Sequence, residues 1–458
     1  MSFDLKFIRF YVLASLLLIV LPGKALWADA ATPVSEALSE LPQGTSPAAS
    51  TVSLEALIES VRQHNPELIA AKAEWIAKKK RVWIDSALPD PMAGYDVMGE
   101  MTETRVGPQE SRFMFSQDIP FPLKLYEKGK AAGKEAQAAY QKYLATERDL
   151  VNDLRKFYYE LYYLDASIEV IEGIRDLLKK FEGVASTRYA NLAGSQRDVA
   201  KAQAEVSMSL EKLFELRQRR ETAAAMINAI LDRDPMTEVG KAKLPPMPVL
   251  NRSLIELVNV AVENRQEIKE MEAVVSGSKH KKRIAQLAYL PDINVGFEYT
   301  AVGSGMTTSD EDGKDSWMFP LRINIPLWQN RIIPEIQEAQ KQVEANQARL
   351  RAAKNTTFYE VKDAYYRFDS ASKIEELYET AVIPQAEIAL SSDQAGYEGS
   401  KTDFLNLLDS ERVLLNARLA QIRFYTEALK SHADLVRSTG LDLGEFEMSE
   451  SEEKDHDA

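Results

Sequence analysis

Asp403, Asn406 and Asp409 recur at a spacing of three in a stretch free of helix breakers, which places them on one face of a helix. Carboxylates sharing a face concentrate cations. The same pattern also suits an ordinary solvated face, since exposed Asp is common. No other constellation promises chemistry. His64, His280, His432 and His456 are scattered without ligand spacing, so no metal site is expected. The SDEDGKDS run (Ser309 to Ser316) lacks the liganding Glu of a calcium loop and reads as a polar turn. Tyr158, Tyr159, Tyr162, Tyr163, Tyr365 and Tyr366 read as packing aromatics. No phosphate loop or nucleophile elbow occurs, so neither an enzyme nor a cofactor is expected.

The elements that must carry these residues are very long helices. Between Pro122 and Pro235 there is no proline, and Ala, Leu, Glu, Lys, Gln and Arg dominate. Gly194 and Ser195 offer the one credible reversal, dividing the stretch into helices of about sixty and about forty residues, the first reaching roughly 90–100 Å. A second such stretch begins at Pro334 and turns within Gly396 to Ser400, with a kink expected at Pro384. Small residues in AAGKEAQAA and KAQAEV allow close antiparallel coiled-coil packing.

The chain is written twice. SLEALIESVRQHNPEL from Ser53 matches SLIELVNVAVENRQEI from Ser253, an offset of 200. Leu88, Pro89, Asp90 match Leu290, Pro291, Asp292; Tyr158 and Tyr159 match Tyr365 and Tyr366; Gly194, Ser195 and Asp198 match Gly399, Ser400 and Asp403. Each copy reads helix, strand, loop, strand, long helical hairpin. The boundaries expected are a signal peptide at 1–30, a flexible segment at 31–50, repeat 1 at 51–235, a linker at 236–252, repeat 2 at 253–443 and an acidic disordered tail at 444–458. Strands are expected near 94–102 and 112–121, then 294–302 and 317–327, with turns near 188–195 and 396–400.

In WMFPLRINIPLW (Trp317 to Trp328) the odd positions are apolar while Arg322 and Asn324 sit between them, giving one oily and one wet face. The other three strands also carry apolar residues at odd positions, Tyr95, Val97, Met101, Phe113, Phe115 and Ile119 in the first copy and Val295, Phe297 and Tyr299 in the second, with Met98 and Met114 departing from the pattern on the even side. Lys6 and Arg9, an apolar run from Phe10 to Leu21 and the Ala28, Asp29, Ala30 triplet read as a secretory signal. Four strands of membrane-spanning length cannot close alone, and an open edge in lipid is costly, so other copies must complete the barrel. Two copies would give a filled barrel; three give twelve strands around a passage, and three are expected. Odd residues then face outer membrane lipid, and even residues face water. The fold class is thus mainly α with a small β-barrel contribution. The formal charge of −14 argues against a nucleic-acid partner, and the absence of cysteine excludes disulfides and thiolate metal sites.

RYANLAGSQRDVAKAQAEV (Arg188 to Val206), AGYEGSKTDFLNLLDSERVLLNARL (Ala395 to Leu419) and the duplicated layout resemble the TolC family of outer membrane efflux channels over about Thr51 to Leu443. LPDP (Leu88 to Pro91) and SQDIPFPLKL (Ser116 to Leu125) are similar to its heavy-metal efflux branch. The resemblance implies a homotrimer whose twelve-stranded barrel continues as a periplasmic α-helical coiled-coil barrel. It also implies a passive exit duct that meets a periplasmic adaptor protein and an inner-membrane pump. Its entrance constriction would fall on Asn406 and Asp409, flanked by Asp403, with the charge kept only at Asp409 of the aligned pair. The adaptor would meet hairpin tips at Arg188, Tyr189, Gly194, Ser195, Tyr397, Gly399 and Ser400. A periplasmic coiled-coil adaptor or a structural protein of an envelope-spanning complex is the alternative reading. An adaptor should carry further β-rich segments that this sequence lacks.

Overall fold

The computed structural model describes residues 53–99, 102–305, 308, 310–399 and 401–441. The expected signal peptide, flexible segment and acidic tail lie outside these residues.

Two short helices open each copy, and their lengths repeat: α1 (Leu54–His64, 11 residues) and α2 (Pro66–Ser86, 21 residues) return as α5 (Leu254–Asn264, 11 residues) and α6 (Gln266–Gln286, 21 residues). The corner between them is built differently in each. In the first copy Asn65 accepts a 3.0 Å bond from the Leu68 N–H and donates to the Ile230 carbonyl at 2.8 Å, capping α2 ahead of Pro66. In the second, Arg265 fills the corner, buried and ion-paired to Glu267 (3.1 Å) and to Glu360. Gly440, at the left-handed C-cap of the last helix, fits against it; a Cβ there would lie 2.7 Å from the Arg265 Cα.

Strands β1 (Met92–Val97), β2 (Glu103–Thr104), β3 (Gly107–Ile119), β4 (Ile293–Val302), β5 (Ser316–Met318) and β6 (Leu321–Ile323) form one antiparallel sheet in the order β1, β3, β4, β5, with β6 following β5 along the same edge of β4. The first copy's strands lie N-terminal to the expected 94–102 and 112–121. The expected continuous strand at 317–327 is corrected: Pro320, which has no N–H to give, splits it into β5 and β6, and residues 324–328 leave the sheet. Register puts Tyr95, Phe113, Tyr299 and Trp317 in one row across the four strands, with Phe115 and Phe297 in the next odd-numbered row. On the opposite face Asp118 accepts from Asn294 (2.7 Å) and Arg322 pairs with Glu298 (3.1 Å). Asn324 does not belong to that face: it exchanges hydrogen bonds with the backbone of Asp292, closing the sheet's end.

Sheet order passes directly into helix order. β3 runs through Pro122 into α3 (Pro122–Ala190), 69 residues or roughly 100 Å long, which returns as α4 (Gln196–Ile230). β6 leads to α7 (Gln329–Leu377), then a single π turn (Tyr378–Val382), α8 (Ile383–Glu398) and α9 (Phe404–Thr439). The π turn absorbs the backbone bond that Pro384 cannot donate. α2 packs on α3, α3 on α6 and α6 on α7, leaving α2 and α7 at the two edges. Buried Ala131, Ala132, Ala136 and Ala138 let the neighbours of α3 approach closely. Farther down, Leu154, Leu161, Ile227, Leu57 and Val61 form a middle core, and Leu178, Phe181, Leu213, Phe404 and Leu407 another at the far end. No helix among the described residues is long and apolar enough to cross a membrane.

Leu154 is 0% exposed within the middle core. Leu154→Ala should destabilise the folded protein by about 2–5 kcal/mol, read as a lower denaturant midpoint in mild detergent.

Candidate functional site at the helical tip

At the end farthest from the sheet the two hairpins meet. α3 stops at Asn191, and the left-handed conformation falls on Leu192 (φ 59°) rather than on Gly194. Gly194 serves close approach instead, since a Cβ would come within 2.9 Å of the Arg188 Cβ. Ser195 then caps α4, its Oγ accepting from the Arg197 N–H at 3.1 Å. In the second hairpin Gly399 closes α8, and the Lys401 N–H bonds back to the Gly396 carbonyl at 2.7 Å. Ser400 lies outside the described residues.

A clasp joins the tips. The Arg188 guanidinium donates to the Tyr397 carbonyl and to the Ala193 carbonyl (3.3 Å), and it stacks 4.7 Å from the Tyr397 ring centroid. The Tyr397 ring meets Phe404 at 5.2 Å and is 4% exposed. Burial raises its phenol pKa above the ordinary value. Tyr397 is therefore withdrawn from the partner-facing surface on which the sequence placed it, and Arg188 is half-buried beside it. Ser195 and Gly399 are exposed at the tip, and the large apolar side chains exposed there are Tyr189 (47%) and Leu192 (95%). Leu192 was missed because a leucine in a turn carries no sequence signal for a left-handed backbone.

Asp403 is the N-cap position of α9, and its carbonyl accepts the Asn406 N–H at 3.1 Å. Asp403, Asn406 and Asp409 are all exposed on one side of α9, opposite the buried Phe404, Leu407, Leu408 and Leu414. The spacing of three thus yields a shared polar face. None of the three side chains bonds another group among the described residues, so their oxygens are available to cations.

Glu411 lies in the buried row, only 1% exposed, with Oε1 lacking a hydrogen-bond partner. It abuts α4, whose Glu205 is engaged by Arg412 and whose Lys212 also faces it. Burial and then the Glu205 charge push its carboxyl up to about 7. Its place in the sequence of apolar positions 404, 407, 408, 411, 414 and 415 was a legible signal of a charge in the core. Of the histidines, His280 pairs with Glu127 (2.6 Å), His64 contacts its own helix, and buried His432 is lowered to about 4; His456 lies outside the described residues. Among the described residues no cluster of metal-ligating side chains occurs.

Because the folded state holds the Glu411 proton more tightly than the unfolded chain, this stabilising contribution is present at acid pH and is lost as pH rises through about 7. Glu411→Gln should flatten that dependence and stabilise the tip at pH 8 by on the order of 1–2 kcal/mol. Hydrogen exchange over residues 402–416 at pH 6 and pH 8 checks this.

A long duplicated chain with one small antiparallel sheet and two long helical hairpins invites comparison with known proteins. The Cobalt-zinc-cadmium resistance protein CzcC of Cupriavidus metallidurans is 20% identical over 398 residues, covering 86% of this chain and 91% of that protein. The outer membrane protein VceC of Vibrio cholerae superposes with a TM-score of 0.71 at 20% identity, over 84% of this chain and 96% of its own. The CmeC outer membrane channel of Campylobacter jejuni does so at 0.71 and 14% identity, over 94% and 96%. The outer membrane efflux protein profile matches residues 57–232 and 257–441, the greater part of both copies, and the chain belongs to the outer membrane efflux protein family.

Proposed function

We propose that three copies of this chain close into the exit duct of a tripartite efflux system, passing cargo from a periplasmic adaptor and an inner-membrane pump through the outer membrane. The observation that carries this reading is the sheet itself: β1 on one side and β5 with β6 on the other are both edges, so the four-stranded layer cannot close within one chain. With β2 continuing β1 along β3 and β6 continuing β5 along β4, each chain offers four strand positions, and three chains give twelve, enough for an open lumen. The helical layer supports the same closure. α2 at one edge carries the basic run Lys78 to Arg81, and α7 at the other carries Glu335 and Glu338, both within about three turns of the sheet. Copies arranged in a ring would bring these opposite charges face to face.

Closure assigns the two sheet faces. The aromatic rows of Tyr95, Phe115 and Phe297 meet lipid, while the network of Asp118, Asn294, Arg322 and Glu298 lines the lumen. At the tip, three copies of Asp409, with Asp403 and Asn406 on the same face, form the entrance constriction. Tyr189 and Leu192 offer the adaptor an apolar foothold. Similarity to a cobalt-zinc-cadmium resistance protein and carboxylates at the entrance both favour metal cations as cargo.

Mass measurement in mild detergent should give a trimer; a stable monomer overturns the architecture. Phe115→Arg should impair trimer assembly by about 2–4 kcal/mol if the residue sits near mid-membrane, whereas Glu298→Gln on the opposite face should cost about 1 kcal/mol or less. Asp409→Asn should lower cation selectivity in single-channel recordings, and Asn406→Asp should raise it and tighten block by divalent cations. Both effects should fade as salt rises.

A further inference from the structure

Residues 231–252 join the two copies, and on the way they cross four long helices in turn. Asn228 of α4 donates to the Thr237 carbonyl at 2.7 Å. Arg220 of α4, paired with Asp165 of α3 at 2.7 Å, donates to the Val239 carbonyl at 3.1 Å. On α3, Glu169 holds Lys241 at 2.7 Å, and the Tyr158 hydroxyl accepts the Lys243 N–H at 2.8 Å. The Tyr425 hydroxyl of α9 donates to the Pro245 carbonyl at 2.6 Å. Met247 and Leu250 then pack with Ala428 of α9 and with Phe368 and Ala371 of α7. The segment is thus pinned in the order α4, α3, α9, α7, which is the order in which these helices neighbour one another.

The crossing has little slack. Pro245, Pro246 and Pro248 favour an extended chain and bring no N–H that needs a partner, and no helix or strand forms from 243 to 250. From Val239 to Leu250 such a chain reaches about 34 Å at roughly 3.1 Å per residue. Four neighbouring helices spaced by about 8–10 Å extend about 24–30 Å from the first axis to the last. The crossing lies at mid-length of α3, because Tyr158 is about 54 Å from Pro122 and about 48 Å from Ala190. At the same level Glu160 of α3 pairs with Arg219 of α4 (2.9 Å) and with Lys430 of α9 (2.5 Å). Toward the tip the hairpins are joined by side chains, Arg412 to Glu205 and Arg188 to the Tyr397 carbonyl. Such contacts open at a cost of about 1 kcal/mol each, whereas a pinned covalent strap lets helices separate only as far as its slack.

We propose that residues 239–250 are a girdle that fixes the spacing of the four helices at mid-height, so that the two hairpins part only on its tip side, pivoting at the level of Tyr158 and Tyr425. The sheet end of the wall keeps its spacing while α9 swings at the end that carries Asp403, Asn406 and Asp409. The girdle consists of contacts within one chain; its consequence for passage through the entrance rests on the duct reading.

A flexible Gly and Ser insertion of about six residues between Lys243 and Leu244 keeps every pin and adds roughly 20 Å of chain between the α3 and α9 pins. The same insertion between Leu250 and Asn251 lies past the last pin. Hydrogen exchange of the full chain in mild detergent, read by mass spectrometry, compares them. The first insertion should speed exchange over 404–424 of α9 by about threefold to tenfold and leave 266–286 of α6, near the sheet, at the wild-type rate. Tyr425→Phe, which removes one pin without changing the chain length, should give the same pattern at smaller amplitude. The second insertion should behave as wild type. Exchange over 404–424 unchanged by the first insertion and by Tyr425→Phe, or raised equally by both insertions, or raised equally over 266–286, overturns the girdle. Mass measurement on the same samples separates the two readings: a monomer with this exchange pattern overturns the duct and supports the girdle.

Discussion

Backbone N–H and C=O groups at a strand edge need partners, and inside hydrocarbon only another strand can supply them. β1 and β6 each leave such an edge in a single chain, and the arrangement of the remainder follows from their positions. α2 runs into β1, β3 into α3, α6 into β4 and β6 into α7, so the lateral order of the helices is inherited from the order of the strands. An incomplete sheet therefore imposes an incomplete helical wall beneath it. In the proposed trimer both layers are closed by the same operation.

Duplication supplies this arrangement twice without making the copies equivalent. Their opening helices agree in length to the residue, yet Asn65 caps one corner where a buried Arg265 with two carboxylate partners braces the other. The tips diverge further. The first copy contributes Arg188 to the clasp, and the second contributes Tyr397 and the exposed acidic face of α9. Buried Glu411 of α9 faces Glu205 and Lys212 of α4, so the contact between the two hairpins contains a group that is neutral or charged according to pH.

Much of this was legible because long-range repetition and face alternation survive in the sequence. The odd rows of Tyr95, Phe113, Tyr299 and Trp317 could be paired before their register was known, since a strand has a period of two whatever its partners. What failed depended on single residues. Pro320 divides a segment whose alternation is unbroken, because hydropathy carries no information about a missing N–H. Tyr397 looked like a tip residue and is buried, because an arginine 209 positions earlier in the chain covers it. Asn324 had the right parity for the wet face, but its amide is used at the sheet's end. The helix face of Asp403, Asn406 and Asp409 was readable from spacing; what it confronts in the proposed trimer is a property of the assembly.

The π turn ahead of Pro384 gives the two hairpins different mechanics. α3 is one unbroken beam about 100 Å long, so a tilt of a few degrees at its sheet end displaces its far end by several ångströms. The outgoing limb of the second hairpin is two shorter rods, α7 and α8, meeting at a defect that loosens the regular hydrogen-bond ladder. Bending there costs less than bending α3, so compliance is concentrated in the limb next to α9. The first copy behaves as a strut and the second as a jointed arm, and the acidic face is carried by the jointed one.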